Sequence, residues 1–152
     1  MSLSQATFSS GLYDETTFYA KFKHDLLHSV NEVVIESPFI TTERAKTLNP
    51  IFERLINRGV RVYVVTRDPK EHSETMEEQS EAEIHRFEAL GVQVFLCTGN
   101  HHRKLAILDR QTLWEGSLNI LSQTKSREIM RRIESKEVAT EMFNFLKFGN
   151  FL

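Results

Sequence analysis

The chain has 152 residues, 40% of them hydrophobic and 26% charged, with no low-complexity tract, which is enough for one domain with a core and excludes a disordered or fibrous protein. No apolar run approaches the ~20 residues of a membrane-spanning helix, and the N-terminus lacks the basic region and apolar stretch of an export signal, so a soluble, cytoplasmic protein is expected. The single cysteine, Cys97, excludes an internal disulfide or a multi-cysteine zinc site. The net charge of −2 argues against coating nucleic acid by bulk electrostatics, yet residues 68–88 carry eight acids against two bases and residues 98–136 carry eight bases against four acids.

Taken in chain order, residues 1–12 are expected as a flexible N-terminal segment. Residues 14–30 read as a helix with Asp14 as N-cap and Phe18, Phe22 and Leu26 on one face. "EVVIESPFI" reads as a buried strand stopped near Pro38, with Glu36 and Ser37 as candidates for a pocket rim at its end. Thr41 or Thr42 caps the next helix, whose inward face is Leu48, Ile51, Phe52, Leu55 and Ile56, and which Gly59 ends. "VRVYVVTR" is a second strand, residues 75–90 an acidic helix with Ile84, Phe87 and Leu90 inward, and "VQVFLC" a third strand. Strand starts recur about every 30 residues, the length of a right-handed βαβ unit, so the first half is a parallel α/β sheet.

The runs "KLAILD", "TLWEGS" and "EIMRRI" are too close together for intervening helices and read as strands joined by turns. "SKEVATEMFNFLKF" is a last helix with Val138, Met142, Phe145 and Leu146 as its packing face. Trp114 reads as core, and the acidic helix as a face turned to water. The fold class is therefore α/β, one domain over residues 1–152, which could equally be a piece of a longer protein.

Chemistry concentrates in "NHHRKLAILDR". In an extended chain side chains alternate, so His102 and Lys104 share a face while His101 and Arg103 point the other way. The two histidines then cannot converge on one metal, and no metal or cofactor is expected. Downstream, Gly116 permits close backbone approach, and Ser117 and Asn119 offer a hydroxyl and an amide. An imidazole, an ammonium, a carboxamide and a small hydroxyl make a phosphate site that contains a nucleophile.

The spacing from His102 through Lys104, Asp109, Gly116 and Ser117 to Asn119 resembles the HxK(x)4D(x)6GSxN signature of the phospholipase D superfamily. The resemblance implies a mixed sheet flanked by helices, one domain with one such HKD motif. It implies that His102 is the nucleophilic or acid histidine, that Lys104 and Asn119 bind phosphate, and that Ser117, Gly116 and Asp109 support the pocket, Asp109 structurally. Glu128 resembles the acid that follows the motif and orients the histidine; alternatively it makes a surface pair among Arg127, Arg131 and Arg132.

Hydrolysis through a phosphohistidine needs a second imidazole, and His24, His28, His72 and His85 lack the accompanying residues. A homodimer in which His102 of each subunit meets across a twofold axis supplies it. Short single-motif relatives resemble metal-independent dimeric nucleases, and related domains are attached to helicase or restriction modules. The expectation is a nuclease on DNA or RNA, DNA favoured. The alternatives are a non-catalytic nucleic-acid-binding and dimerisation module of a helicase-type chain, or a phospholipid phosphodiesterase.

Overall fold

The computed structural model describes residues 9–123 and 125–152. The chain runs β1 (Ser9–Asp14), α1 (Phe18–Leu27), β2 (Glu32–Glu36), α2 (Thr42–Asn57), β3 (Arg61–Arg67), α3 (Glu74–Leu90), β4 (Gln93–Cys97), β5 (Leu105–Leu108), β6 (Thr112–Gly116), β7 (Ile129–Glu134) and α4 (Lys136–Phe145). Single 3-10 turns at Pro69–Glu71 and Phe148–Asn150 complete it.

The seven strands form one mixed sheet in the order β1-β7-β6-β5-β2-β3-β4. Strands β2, β3 and β4 are parallel. Every pairing from β2–β5 outward to β1 is antiparallel. The valine-rich strands of the parallel half are covered on both faces, β2 being buried at all five positions, which is why they read as apolar runs without alternation. Gly59 (φ 87°) and Gly91 (φ 104°) take the left-handed conformation that turns α2 into β3 and α3 into β4.

One face of the sheet packs on α1, α2 and α3 through Phe18, Phe22, Leu48, Phe52, Leu55 and Phe87, and the other on α4 and the C-terminal turn through Ala139, Phe143 and Phe148. Trp114 is fully buried, and its indole N–H donates to Asp25 Oδ2 at 2.9 Å. Arg132 binds the same buried carboxylate at 2.7 Å, so the charge buried under α1 is paired.

Four expectations are corrected. Residues 9–12 are not loose: they pair with β7 as β1, while residues 1–8 lie outside the described residues. Asp14 caps no long helix; it ends β1 and its carboxylate accepts from the Thr16 and Thr17 amides at 2.9 and 3.1 Å, a tight turn that delays α1 to Phe18. Phe145 is 78% exposed, because α4 turns Ala139 and Phe143 to the sheet instead. The acidic helix does not turn all its acids to water, since Glu83 is buried beside Arg86.

Candidate phosphate site

Antiparallel pairing brings the start of β5 beside the end of β2 (Leu105 opposite Glu36) and beside the end of β6 (Leu105 opposite Glu115). The start of β7 arrives at the same edge, with Met130 opposite Gly116. The segments carrying His102, Lys104, Gly116, Ser117 and Glu128 therefore meet at one edge of the sheet, where the direction of strand pairing switches. Ligand sites gather at such edges because strand ends leave side chains and backbone groups free to converge.

Lys104 Nζ donates to the His102 carbonyl at 2.7 Å and lies 2.8 Å from His102 Nδ1. Burial pushes the Lys104 ammonium below the ordinary lysine pKa, and the Glu128 charge opposes that shift. Glu128 is held below the usual carboxylate range by hydrogen bonds from Ser117 and then Ser126, with Lys104 adding a smaller pull. Its backbone amide is fixed by Glu15 Oε1 at 2.8 Å. Ser126 Oγ donates to the Glu128 carboxylate, while the Lys104 ammonium lies against His102 Nδ1, so the acid that the resemblance expects to orient the histidine is bound to Ser126 instead.

Ser117 is tied into the β6–β7 junction: its amide donates to Ile129 O at 2.9 Å, and its Oγ accepts from the Ile129 amide at 3.0 Å. Gly116 is required there, since a Cβ would lie 2.1 Å from Ile129 O. The loop bearing Asn119 is clamped from below. Leu121 N donates to Ser37 Oγ (3.2 Å), Thr41 N to Leu121 O (2.9 Å), Gln123 N to Thr41 Oγ1 (2.8 Å) and Tyr19 Oη to Ile120 O (2.6 Å). The Asn119 Oδ1 atom is buried without a hydrogen-bond partner, an amide oxygen with capacity unused.

Asp109 stands apart, at the other end of β5. Its carboxylate accepts from the Val30, Asn31 and Glu32 amides at 2.9, 2.7 and 3.0 Å, closing the turn into β2. His101 points away from His102, as expected, and is largely buried: its side chain is 11% exposed and its Nε2 contacts Glu36 Oε2. Sequence reasoning missed this contact, the Tyr19–Arg44 support of the Asn119 loop, and Phe39, whose ring lies edge-on to His102 at 6.1 Å and beside His72 at 5.0 Å. The "SPF" that ends the β2 run was the available signal for Phe39.

A cleft of about 510 Å³ opens against Gly116, Ser117 and Glu128 and continues over Leu12, Arg127, Ile129 and Arg131. A separate cleft of about 380 Å³ between α3 and β4 carries Asp68, Glu81 and Glu88, the wrong sign for a phosphodiester. Among the described residues no three His, Cys, Asp or Glu side chains group as metal ligands, and no helix is long and apolar enough to cross a membrane.

Residues 22–147 match the family described as cardiolipin synthase, PLD-like domain. The curated proteins give no match. Among solved structures, the chain is similar to Nuc from Salmonella typhimurium, a phospholipase D family member, with a TM-score of 0.74 and 17% identity over 91% of each chain. It is similar to NucT from Helicobacter pylori, with a TM-score of 0.66 and 14% identity over 91% of this chain and 93% of that one. It is also similar to phosphatidylserine synthase from Haemophilus influenzae Rd KW20, with a TM-score of 0.67 and 15% identity over 89% of this chain but 37% of that one. At such identities the likeness is one of fold.

Proposed function

This chain belongs to the phospholipase D-like family, and we propose that it is a metal-independent phosphodiesterase, a nuclease acting on DNA or RNA, DNA favoured, at a site shared by two subunits. One observation carries the reading: Lys104 stands on the His102 ring, at a sheet edge shared with Ser117 and Glu128. The chain also spans nearly the whole of Nuc and NucT and little over a third of the lipid enzyme, which fits a one-motif unit that pairs with a second copy.

In this reading the substrate phosphate draws the Lys104 ammonium off His102 Nδ1, and the Asn119 amide and Ser117 hydroxyl take up nonbridging oxygens. The ring proton, which sits on Nε2 while Lys104 donates to Nδ1, exchanges through water to Nδ1, where Glu128 accepts it and stabilises the positive ring that forms on attack. His102 Nε2 attacks phosphorus, the bond to the leaving oxygen breaks, and the protonated His102 of the partner subunit gives that oxygen its proton. Water next attacks the phosphohistidine and loses a proton to the same partner imidazole. The P–N bond breaks, leaving a phosphate monoester and both histidines as they began. The donor set supports a mechanism without metal, because Lys104 is a cation against one ring and His101 is occupied by Glu36.

The intermediate provides the test. Turnover quenched in alkali should leave one acid-labile phosphoryl group on the peptide containing His102; steady turnover with no such adduct would sink the phosphohistidine route. A second reading, a phospholipid phosphodiester as substrate, is favoured by Leu12 and Ile129, each 62% exposed on the cleft beside Ser117. Faster cleavage of anionic phospholipid vesicles than of DNA or RNA would establish it over the nuclease.

A further inference from the structure

Residues His101 to Lys104 stand outside the β5 strand, which begins at Leu105. Lys104 keeps one backbone tie, its carbonyl accepting from the Gly116 amide at 3.3 Å, but the ladder does not fix which way the side chains of residues 101–103 point. Side chains do it instead. Glu36, the last residue of β2, has a fully buried carboxylate whose Oε2 receives Arg103 Nε at 2.6 Å and contacts His101 Nε2. Val34, two residues before Glu36, and Leu105, opposite it, both belong to the core on the α4 face, so Glu36 holds His101 and Arg103 to that face. Ala106, on the other register, belongs to the core under α1 to α3, and Lys104 and His102 project with it.

Fixing residues 101 and 103 on one side fixes the backbone of residue 102 between them. We propose that Glu36 is a positioning residue for the reaction: through His101 and Arg103 it aims His102 at the phosphate and sets it beside Lys104, without touching substrate itself. This rests on the phosphodiesterase reading above. A carboxylate buried at a sheet end is costly and is not needed for packing alone, where an apolar side chain of similar size would serve as well. Its second oxygen, Oε1, has no hydrogen-bond partner, and His101 Nε2 lies against Oε2 without a directed hydrogen bond, so the grip comes through one oxygen, by the Arg103 hydrogen bond and the His101 contact, and is sensitive to a change of charge.

The test is Glu36→Gln in the full chain, with Arg103→Gln as a milder variant, since Arg103 is half exposed and its loss leaves the fold little to repair. Three readouts are taken: thermal unfolding, kcat and KM on an aryl phosphodiester, and the nuclear Overhauser effect between the His102 and Phe39 rings. Glu36→Gln should lower kcat by roughly 100-fold, the usual cost of a misplaced catalytic group, with KM within about twofold and the Overhauser effect between the rings abolished. Arg103→Gln should lower kcat by roughly tenfold on the same basis. An unchanged kcat and an unchanged Overhauser effect in a folded Glu36→Gln protein would overturn the proposal, as would a fall confined to thermal stability. If Glu36→Gln does not fold, the same outcomes are read from Arg103→Gln. If the wild type turns over no phosphodiester, the phosphodiesterase reading fails by itself, and the Overhauser effect decides whether Glu36 aims His102.

Discussion

Lys104 Nζ rests 2.8 Å from His102 Nδ1, so the cation and the imidazole of the motif hold each other on one face of the chain before any phosphate arrives. Lys104 must be protonated to bind phosphate, and burial sets its pKa below the ordinary lysine value. As pH rises through that lowered pKa the cation is lost, so KM should climb on the alkaline side at a lower pH than an exposed lysine would give. Glu128 raises the Lys104 pKa, so Glu128→Gln should move this alkaline limb further down. A KM–pH profile of both proteins checks it; a limb that stays in place or moves up contradicts the assignment.

Asp109 should matter for stability far more than for chemistry. Its carboxylate accepts three backbone amides, and its φ of 55° is one that Asp tolerates and Ala does not. Asp109→Ala should cost about 2–4 kcal/mol in urea unfolding, the sum of lost charge-assisted hydrogen bonds and backbone strain. The folded fraction should keep its kcat, because the residue lies at the far end of β5 from His102.

Gly116 and Gly11 separate two kinds of glycine. A Cβ at Gly116 would strike Ile129 O at 2.1 Å and Met130 Cα at 2.9 Å, both backbone, so Gly116→Ala must pry β6 from β7. At Gly11 the nearest atoms belong to the Tyr13 side chain, the closest at 3.3 Å. Gly116→Ala should lose more than about 2 kcal/mol together with activity, and Gly11→Ala less than about 1 kcal/mol, measured by thermal unfolding.

Ser37 should affect substrate binding from a distance. Its Oγ accepts the Leu121 amide at 3.2 Å, one of the ties that hold the loop bearing Asn119. Ser37→Ala leaves that buried amide unpaired at about 1–3 kcal/mol of stability. The loosened loop should raise KM several-fold more than it lowers kcat in steady-state assays.

What was legible in the sequence follows from how local each cause is. The parallel half could be read because β2 and β3 are valine-rich runs buried on both faces, with Gly59 and Gly91 marking the helix ends. The motif could be read because His102, Lys104, Gly116 and Ser117 lie at fixed offsets across two turns. β1 could not, because "SSGLYD" has no strand pattern of its own and is held by pairing with β7 at the other end of the chain. The α4 face was misread because Phe145 is apolar yet lies on the water side of a helix that buries Ala139 and Phe143. The role of Glu36 was hidden for a third reason: it grips His101 and Arg103 across more than sixty residues, a contact no local pattern encodes.

The most direct measurement is cleavage of an aryl phosphodiester and of plasmid DNA in EDTA, wild type beside His102→Ala, with the oligomeric state determined on the same preparation. The expected result is a dimer whose turnover survives chelation, falls on both sides of a pH optimum, and drops at least about 1,000-fold in His102→Ala. Activity that vanishes in EDTA and returns with a divalent metal, or that persists in His102→Ala, would contradict a metal-independent reaction through His102.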